Sequence, residues 1–437
     1  MIAVPQRRTP PFVTLVLPML IARPSLDHLF GLGRIKVGPI SLTPGFLFNA
    51  AFVALASLVM LHAFLVDRRS QMALRTAATI WAPFLFAALV AAAHTPAPSE
   101  AMQALFNYLT FAAVSLLALY YAPYFGRQNL TFGVALSGVI PLATGLIQTA
   151  LGDTNGRLEA SFTHPNILAF YLMIYICFLY HAQISAYVRG GWQRNAIWVL
   201  LVIAGVELLL TGTRSAFGAT ALFLVVYSIF RRPLYLIPLL LVPPLAMLVP
   251  GVMARVMDAA NGAPEMSYAY LVSVAHGDID GSDFVEVDSG TWRRYLWQAA
   301  WPWIERKIGF GYGLASFTPT SNQFFELANK AGSGAHNVYV QTVFEGGLLL
   351  LFSFVYVLLA LIIIPFFRIT YPGERLFIML IVICYGVVSA SDNMLGYLVV
   401  NIMLVFVVCA LMGTFQHTSR RTMVEHRRPQ LLLGDIR

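Results

Sequence analysis

Charged residues are scarce in this chain: they make up 11% of its 437 residues, whereas hydrophobic residues make up 58%. So few charges cannot cover the surface of a soluble protein of this length, which excludes a set of soluble domains. Cysteine is also rare, and the three present, Cys177, Cys384 and Cys409, fall in apolar stretches. We therefore expect no disulfide framework and no cysteine metal site, but an all-α bundle of membrane helices.

The chain also lacks a nucleotide-binding loop. Residues 309–313 read Gly-Phe-Gly-Tyr-Gly, but the Lys-Ser/Thr pair that completes a phosphate-binding loop does not follow. The net charge of +8 is carried mostly by short loops and chain ends, where basic residues orient membrane helices. We therefore predict no nucleotide hydrolysis, no nucleic-acid partner and no cofactor.

Long apolar runs fill most of the sequence. Because a membrane helix needs about 20 apolar residues, we predict a polytopic membrane protein of about twelve transmembrane helices. Nine of these lie in residues 1–253, the last of them at 233–253, and three lie in residues 336–414. Residues 254–335 then form a long polar loop, and residues 415–437 form a basic tail.

Arginine recurs in alternate connections, for example at Arg127, Arg189 and Arg231, whereas intervening short turns such as 94–100 and 389–393 carry none. By the positive-inside rule, both termini are cytoplasmic and the long loop lies outside the membrane. Apolar residues at helical spacing from Leu296 to Ile304 predict an amphipathic helix on the outer surface. We interpret most of the nearby tryptophans as an interfacial belt; they are Trp292, Trp297, Trp301 and Trp303.

Several basic residues lie outside the membrane and so depart from the orientation rule. Arg214 sits in a tight turn between two apolar helices, and Arg293 and Arg294 begin the amphipathic segment. Guanidinium groups bind phosphate oxygens bidentately, so these arginines are candidates for an anion site. The alternative is contact with lipid headgroups, and of the pair we expect one arginine to face a cavity and the other the headgroups.

Polar residues at predicted helix ends are the other candidates. His336 and Asn337 follow a glycine-rich turn, and His336 suits general-base work or a phosphate contact, although a lone histidine is more often structural. His164 and Asn166 begin the sixth span, where helix capping is the alternative. Asp392 at an outer helix end is a candidate to orient His336 or an arginine, again with capping as the alternative.

Acidic residues add two weaker signals. Glu207 falls in the middle of a span, where a carboxylate is either functional or a partner for a neighbouring helix. Asp278 and Asp280 form an Asp-x-Asp pair that can hold a divalent metal, but such pairs are common by chance in polar loops. We predict no metal.

Short motifs in a fixed order make the chain resemble the O-antigen ligase/polymerase superfamily of bacterial envelope glycosyltransferases. They lie in roughly the second two-thirds of the chain. They are Phe-Thr-His-Pro-Asn-Ile-Leu-Ala at 162–169, Thr-Gly-Thr-Arg-Ser-Ala-Phe-Gly at 211–218, the arginine before Leu296-Trp297, the glycine motif at 309–313, Ala-His-Asn-Val-Tyr at 335–339 and Glu-Gly-Gly-Leu at 345–348.

The resemblance implies a fold related to the multispanning C-type glycosyltransferases and an inverting, metal-independent reaction. Such enzymes take a glycan from undecaprenyl pyrophosphate at the periplasmic face of the inner membrane. Carried over to this chain, Arg214 and one of Arg293 and Arg294 would bind the pyrophosphate, and His336 would lie by the attacking hydroxyl. Membrane lipid and a glycan acceptor would be the other partners.

Two kinds of enzyme in this class differ in their acceptor. A polymerase adds the glycan to another lipid-linked repeat, which we slightly favour, whereas a ligase moves it to lipid A–core. A transporter or flippase would instead place charges in mid-membrane and break helices in paired halves, but only Glu207 is deep in a span. A metal-dependent transferase would use Asp278 and Asp280.

Overall fold

Helices make up nearly all of the computed structural model, which describes residues 13–25, 27, 35–37, 40–65, 68–152, 157–188, 190–237, 272–273, 289–328 and 332–414. The helices are α1 (Val13–Ser25), α2 (Pro44–Leu65), α3 (Arg68–Ala92), α4 (Pro98–Ser137), α5 (Val139–Leu151), α6 (Pro165–Ile184), α7 (Gly191–Leu210), α8 (Arg214–Arg231), α9 (Ser289–Arg306), α10 (Val338–Arg368), α11 (Pro372–Val388) and α12 (Leu398–Thr414). A short antiparallel hairpin of β1 (Ile35–Val37) and β2 (Ile40–Leu42) precedes α2.

Six helical stretches in the described part are long and apolar enough to cross a membrane. They begin at Pro44, Ser70, Pro98, Pro165, Gly191 and Val338. The chain is therefore an integral membrane protein, and the all-α prediction holds apart from the hairpin. The count of twelve spans is not confirmed, because several other helices are shorter and the predicted ninth span, 233–253, lies mostly outside the described residues.

Proline and glycine set many of the helix boundaries. Proline is the first residue of α2, α4, α6 and α11, where its missing N–H costs nothing and its fixed φ suits a helix start. The run from α4 to α5 is broken at Gly126, whose φ of 71° and ψ of 166° are not helical. A second turn at Gly138 separates α4 from α5. The apolar runs at 101–122 and 130–151 thus lie on either side of the Gly126 break.

Two helices form the centre of the bundle. Of the apolar window of α6, 94% is buried, and this helix packs against α4, α7, α8 and α11. Nearly all of α12 is buried as well, and Phe170 of α6 stacks on Tyr397, just before α12, with ring centroids 6.0 Å apart. A membrane helix that is buried all round is held by protein rather than lipid, so the first residues of α6 and α12 are fixed in place.

The amphipathic helix α9 packs on protein more than the sequence indicated. Its buried face consists of Leu296, Ala300 and Ile304, as the spacing predicts. However, three of the four tryptophans pack into the same small core rather than forming an interfacial belt, and Trp301 is the exposed one. The indole of Trp297 donates a hydrogen bond to Ala335 O at 2.7 Å, which anchors the residue before His336.

The glycine motif at 309–313 and its neighbour Ile308 supply hydrogen bonds where the helical hydrogen bonds of α10 are interrupted. At Gly347 the backbone has φ 62° and ψ −161°, so the helical hydrogen bond from Leu348 N to Phe344 O cannot form. Leu348 N donates instead to Ile308 O at 2.8 Å, and Phe344 O accepts from Tyr312 N at 2.9 Å. A further bond runs from Gly313 N to Glu345 O at 2.8 Å. The two glycine-rich motifs therefore fold as one unit.

This unit makes a stability prediction. A Cβ at Gly347 would collide with the backbone of Gly309, and its φ and ψ are open to glycine alone. Gly347→Ala should therefore lower the free energy of unfolding by about 2 kcal/mol or more. Thermal unfolding of purified protein measures this, and Gly309→Ala is the matched control because a Cβ there meets open space. Equal unfolding midpoints for the two variants would contradict the account.

Candidate active site

A buried carboxylate, Asp392, holds the candidate site together. Its side chain is 2% exposed and lies between α11 and α12. One oxygen, Oδ1, accepts from Tyr397 OH at 2.8 Å and Asn393 N at 2.8 Å, and the other, Oδ2, accepts from Asn166 Nδ2 at 2.6 Å. These donors come from the starts of both central helices and from the Asp392 loop, so the carboxylate links segments that are far apart in sequence.

His336 faces this carboxylate from the start of α10. Its Nδ1 lies 3.5 Å from Asp392 Oδ1, and its side chain remains 36% exposed. The residue has a φ of 48°, which the hydrogen bond from Trp297 to the preceding Ala335 helps to maintain. The ring of Trp292 meets the imidazole edge to face at 5.8 Å. His336 is therefore oriented on its Nδ1 side and open to a ligand elsewhere.

Arg157 braces the site from the connection before α6, and sequence reasoning missed it. Its Nη2 donates to Asn166 Oδ1 at 2.6 Å and to Thr213 Oγ1 at 3.0 Å, and its Nε donates to Thr211 O at 2.8 Å. Thr213 in turn donates to Asn166 Oδ1 at 3.1 Å. The carboxamide of Asn166 thus bridges this basic cluster and Asp392.

Arg214 follows this cluster directly, as the first residue of α8. Its side chain is exposed, and no residue in the described part of the chain hydrogen-bonds to its guanidinium. The N-cap residue, Thr213, makes no capping hydrogen bond with its side chain because that hydroxyl is turned toward Asn166. The start of α8 therefore presents both a guanidinium and uncapped backbone N–H groups, which is an arrangement that binds anions.

The two neighbouring arginines of α9 have different surroundings, and the sequence analysis expected only one of them to face the site. Arg293 is half-buried and its Nη1 donates to Ser391 O at 2.7 Å, next to Asp392. Arg294 is exposed and lies over the ring of Tyr295, 5.3 Å from its centroid. Arg293 is thus the member of the pair that reaches the site.

Two predicted support residues are helix caps. His164 Nδ1 accepts from Asn166 N at 3.1 Å at the start of α6, and Asn337 Oδ1 accepts from Tyr339 N and Val340 N at the start of α10. Together with α8, three helices therefore begin at this site, and each directs the positive end of its dipole toward it.

Two titratable groups of the site, Asp392 and His164, have pKa values shifted from their usual range. Burial acts to raise the pKa of Asp392, but the hydrogen bonds from His336, Asn393 N–H and Tyr397 outweigh it and lower that pKa below its usual value. Burial and the positive charge of Arg157 lower the pKa of His164. At neutral pH Asp392 is therefore a carboxylate, and His164 is a neutral imidazole that accepts a backbone N–H.

Most of the predicted site residues lie together. Arg214, Arg293, His336, Asp392 and Asn166 adjoin one hydrogen-bond network, with His164 and Asn337 as caps at its edge; Arg294 points away. Asp278 and Asp280 lie outside the described residues. Glu207 is buried in α7 against Gly145, away from this network.

Sequence reasoning missed Arg157 and Tyr397. Arg157 had one available signal, since it is another basic residue in a connection expected outside the membrane.

The structure thus brings two arginines, a histidine and a buried carboxylate together where three helices begin. The family model for O-antigen ligase matches residues 199–355, from within α7 to within α10. This match, over less than half of the chain, confirms the resemblance to the O-antigen ligase superfamily and supports an enzyme of the O-antigen ligase or polymerase type. A search of curated proteins finds no match to the chain.

The matched segment contains some of the site residues and leaves others out. Arg214, Arg293 and His336 lie inside it, whereas Arg157, Asn166 and Asp392 lie on either side. The chain therefore completes its site with residues from beyond the matched segment.

Arg157 is the residue whose removal tests this network. Arg157→Ala would remove the guanidinium hydrogen bonds to Asn166, Thr211 and Thr213, so we expect a loss of about 1–3 kcal/mol in the free energy of unfolding. Arg194→Ala, at an exposed arginine, is the control and should leave the unfolding midpoint unchanged. If both variants unfold at the same temperature, Arg157 does not brace the site.

Proposed function

We propose that this protein transfers a glycan from undecaprenyl pyrophosphate to a hydroxyl of an acceptor, with inversion at the anomeric carbon and without a metal, at the periplasmic face of the bacterial inner membrane. The observation that carries the proposal is the convergence of Arg214, Arg293, His336 and Asp392 around one hydrogen-bond network. The family match supports the reaction class, and the positive-inside pattern supports the orientation.

Arg214 and Arg293 hold the pyrophosphate in this proposal. Both adjoin the Asn166–Asp392 hydrogen bond, Arg214 through its neighbour Thr213 and Arg293 through its contact with Ser391. The uncapped start of α8 adds backbone N–H groups and a helix dipole. As the glycosyl–oxygen bond breaks, the negative charge on the leaving phosphate grows, and groups already in place stabilise that charge without reorganising.

His336 takes the proton of the attacking hydroxyl. The acceptor oxygen forms a bond to the anomeric carbon on the face opposite the phosphate, the bond to the phosphate oxygen breaks, and undecaprenyl pyrophosphate leaves with the electron pair. The proton passes to the imidazole of His336, and the carboxylate of Asp392 stabilises the imidazolium that forms. The phosphate–sugar bond supplies the energy, so no nucleotide is consumed.

The product of this reaction is a surface polysaccharide, and we place the enzyme as a polymerase of lipid-linked repeats. The acceptor is then a second lipid-linked repeat. A ligase that transfers the glycan to lipid A–core uses the same residues, so the acceptor has to be found by assay. Purified protein supplied with the lipid-linked donor and each acceptor in turn should elongate the repeat; transfer only to lipid A–core would identify a ligase instead.

Arg293 and Arg294 form a matched pair for testing the phosphate site. Arg293→Ala should reduce the release of undecaprenyl pyrophosphate by about 10²–10³-fold, as loss of a transition-state contact does, and Arg214→Ala should do the same. Arg294→Ala should leave the rate nearly unchanged, since that side chain faces away from the site. Equal losses in Arg293→Ala and Arg294→Ala would show a general membrane role and contradict the assignment.

His336 and Asp392 are predicted to act as a unit. His336→Ala should lower the rate by about 10²–10⁴-fold, the usual contribution of a general base. Asp392→Asn keeps the shape of the side chain but removes its charge, so it should lower kcat while the affinity for undecaprenyl pyrophosphate stays unchanged. If both variants retain full kcat with intact folding, the proposed proton transfer is wrong.

A further inference from the structure

A cavity of about 330 Å³ lies beside the candidate active site, within the N-terminal part of the bundle. Its walls come from α1, α2, α4, α6 and α12 and from residues that adjoin these helices. They are Arg23, Asp27, Thr43, Gly45, Phe46, Asn49, Gln103, Asn107, Thr163, Ile167, Gly396, Leu398 and Val399. No lining residue falls within 199–355, so the cavity is separate from the segment that matches the family model.

The cavity adjoins the site through both central helices. Thr163 and Ile167 flank the segment that carries His164 and Asn166, and Leu398 follows Tyr397, which contacts Asp392. Arg214 belongs to α8, which packs on α6, α7 and α11 and contributes no residue to the cavity lining. The first turn of α6 therefore separates the cavity from the phosphate-binding arginine.

The polar groups of the cavity are neutral or already neutralised. The one guanidinium, Arg23, donates to Asp27 Oδ1 at 2.7 Å within the wall. The other polar side chains are carboxamides and hydroxyls, notably Asn49, Gln103 and Asn107. Because charges of both signs are paired and the rest are neutral, this cavity favours an uncharged polar ligand over a phosphate or a metal ion.

Asn49 is the observation that points to a ligand. It is 4% exposed, and its Oδ1 is buried without a hydrogen-bond partner in the described part of the chain. A buried carbonyl without a donor costs about 1–3 kcal/mol, so a bound hydroxyl that donates to Asn49 Oδ1 would remove this cost. A carboxamide offers both donors and an acceptor, which matches a sugar hydroxyl that both donates and accepts.

We propose that this cavity binds a sugar residue of the acceptor glycan and so presents the attacking hydroxyl to His336. This assignment rests on the proposed function and follows from position. The donor phosphate lies on the α8 side of α6, and the neutral sugar lies on the opposite side. The volume lies in the range of about 300–1,000 Å³ that is usual for small-molecule sites. Asn49 is then a specificity-determining residue, and Gln103 and Asn107 complete the hydroxyl contacts.

Acceptor kinetics test this inference. The full-length protein is assayed with the lipid-linked donor at saturation while the concentration of the acceptor, a lipid-linked repeat or lipid A–core, is varied. Asn49→Ala and Gln103→Ala should each raise the acceptor KM by roughly tenfold, the effect of one lost hydrogen bond, while the affinity for undecaprenyl pyrophosphate is unchanged. Gln128→Ala, at an exposed carboxamide of α4 outside the cavity, is the matched control and should have no effect.

Thermal unfolding distinguishes a ligand contact from a structural one. Asn49→Ala removes a side chain whose Oδ1 has no partner in the described structure, so its unfolding midpoint without ligand should not fall. An unchanged acceptor KM in both cavity variants, or a lowered midpoint together with equal changes in every kinetic constant, would overturn the inference. If the wild-type protein releases no undecaprenyl pyrophosphate with any acceptor, the proposed function fails instead, whatever the cavity variants do.

Discussion

The candidate site depends on one buried charge. A carboxylate that is 2% exposed survives at the end of a membrane bundle only if donors replace the water it has lost, and Asp392 has them from Asn166, Tyr397 and Asn393 N–H. Removing any one donor leaves the charge partly uncompensated, so the starts of α6 and α12 are held in a single arrangement. His336 then meets a fixed negative charge rather than a mobile one.

The same constraint explains why Asn166 occupies its place. Its carboxamide accepts from Arg157 and Thr213 on one side and donates to Asp392 on the other. A positive group and a negative group are thus kept apart by one neutral amide that satisfies both, and this leaves the guanidinium of Arg214, next to Thr213, exposed for a ligand. Replacing the amide with a carboxylate would place two negative charges together and undo this separation.

Sequence patterns predicted the parts of this arrangement that are local. The cap at His164, one of the two alternatives for that residue, and the buried face of α9 follow from patterns along the chain. The role of Arg157 and the packing of Trp292, Trp297 and Trp303 were missed because both depend on partners far away in sequence. The span count was not confirmed because several of the described helices are shorter than a membrane span and the predicted ninth span lies mostly outside the described residues.

The proposed donor site and the proposed acceptor cavity are built from different parts of the sequence, and this affects how substrate specificity can change. Arg214 and Arg293, which hold the donor pyrophosphate in the proposed reaction, lie within residues 199–355, whereas the residues that line the cavity around Asn49 lie before and after this segment. A pyrophosphate is the same for any lipid-linked glycan, but the acceptor sugar differs. In the proposed arrangement, substitutions in α1, α2 and α4 alter the recognised sugar without touching the arginines that hold the pyrophosphate, because no residue of 199–355 lines the cavity.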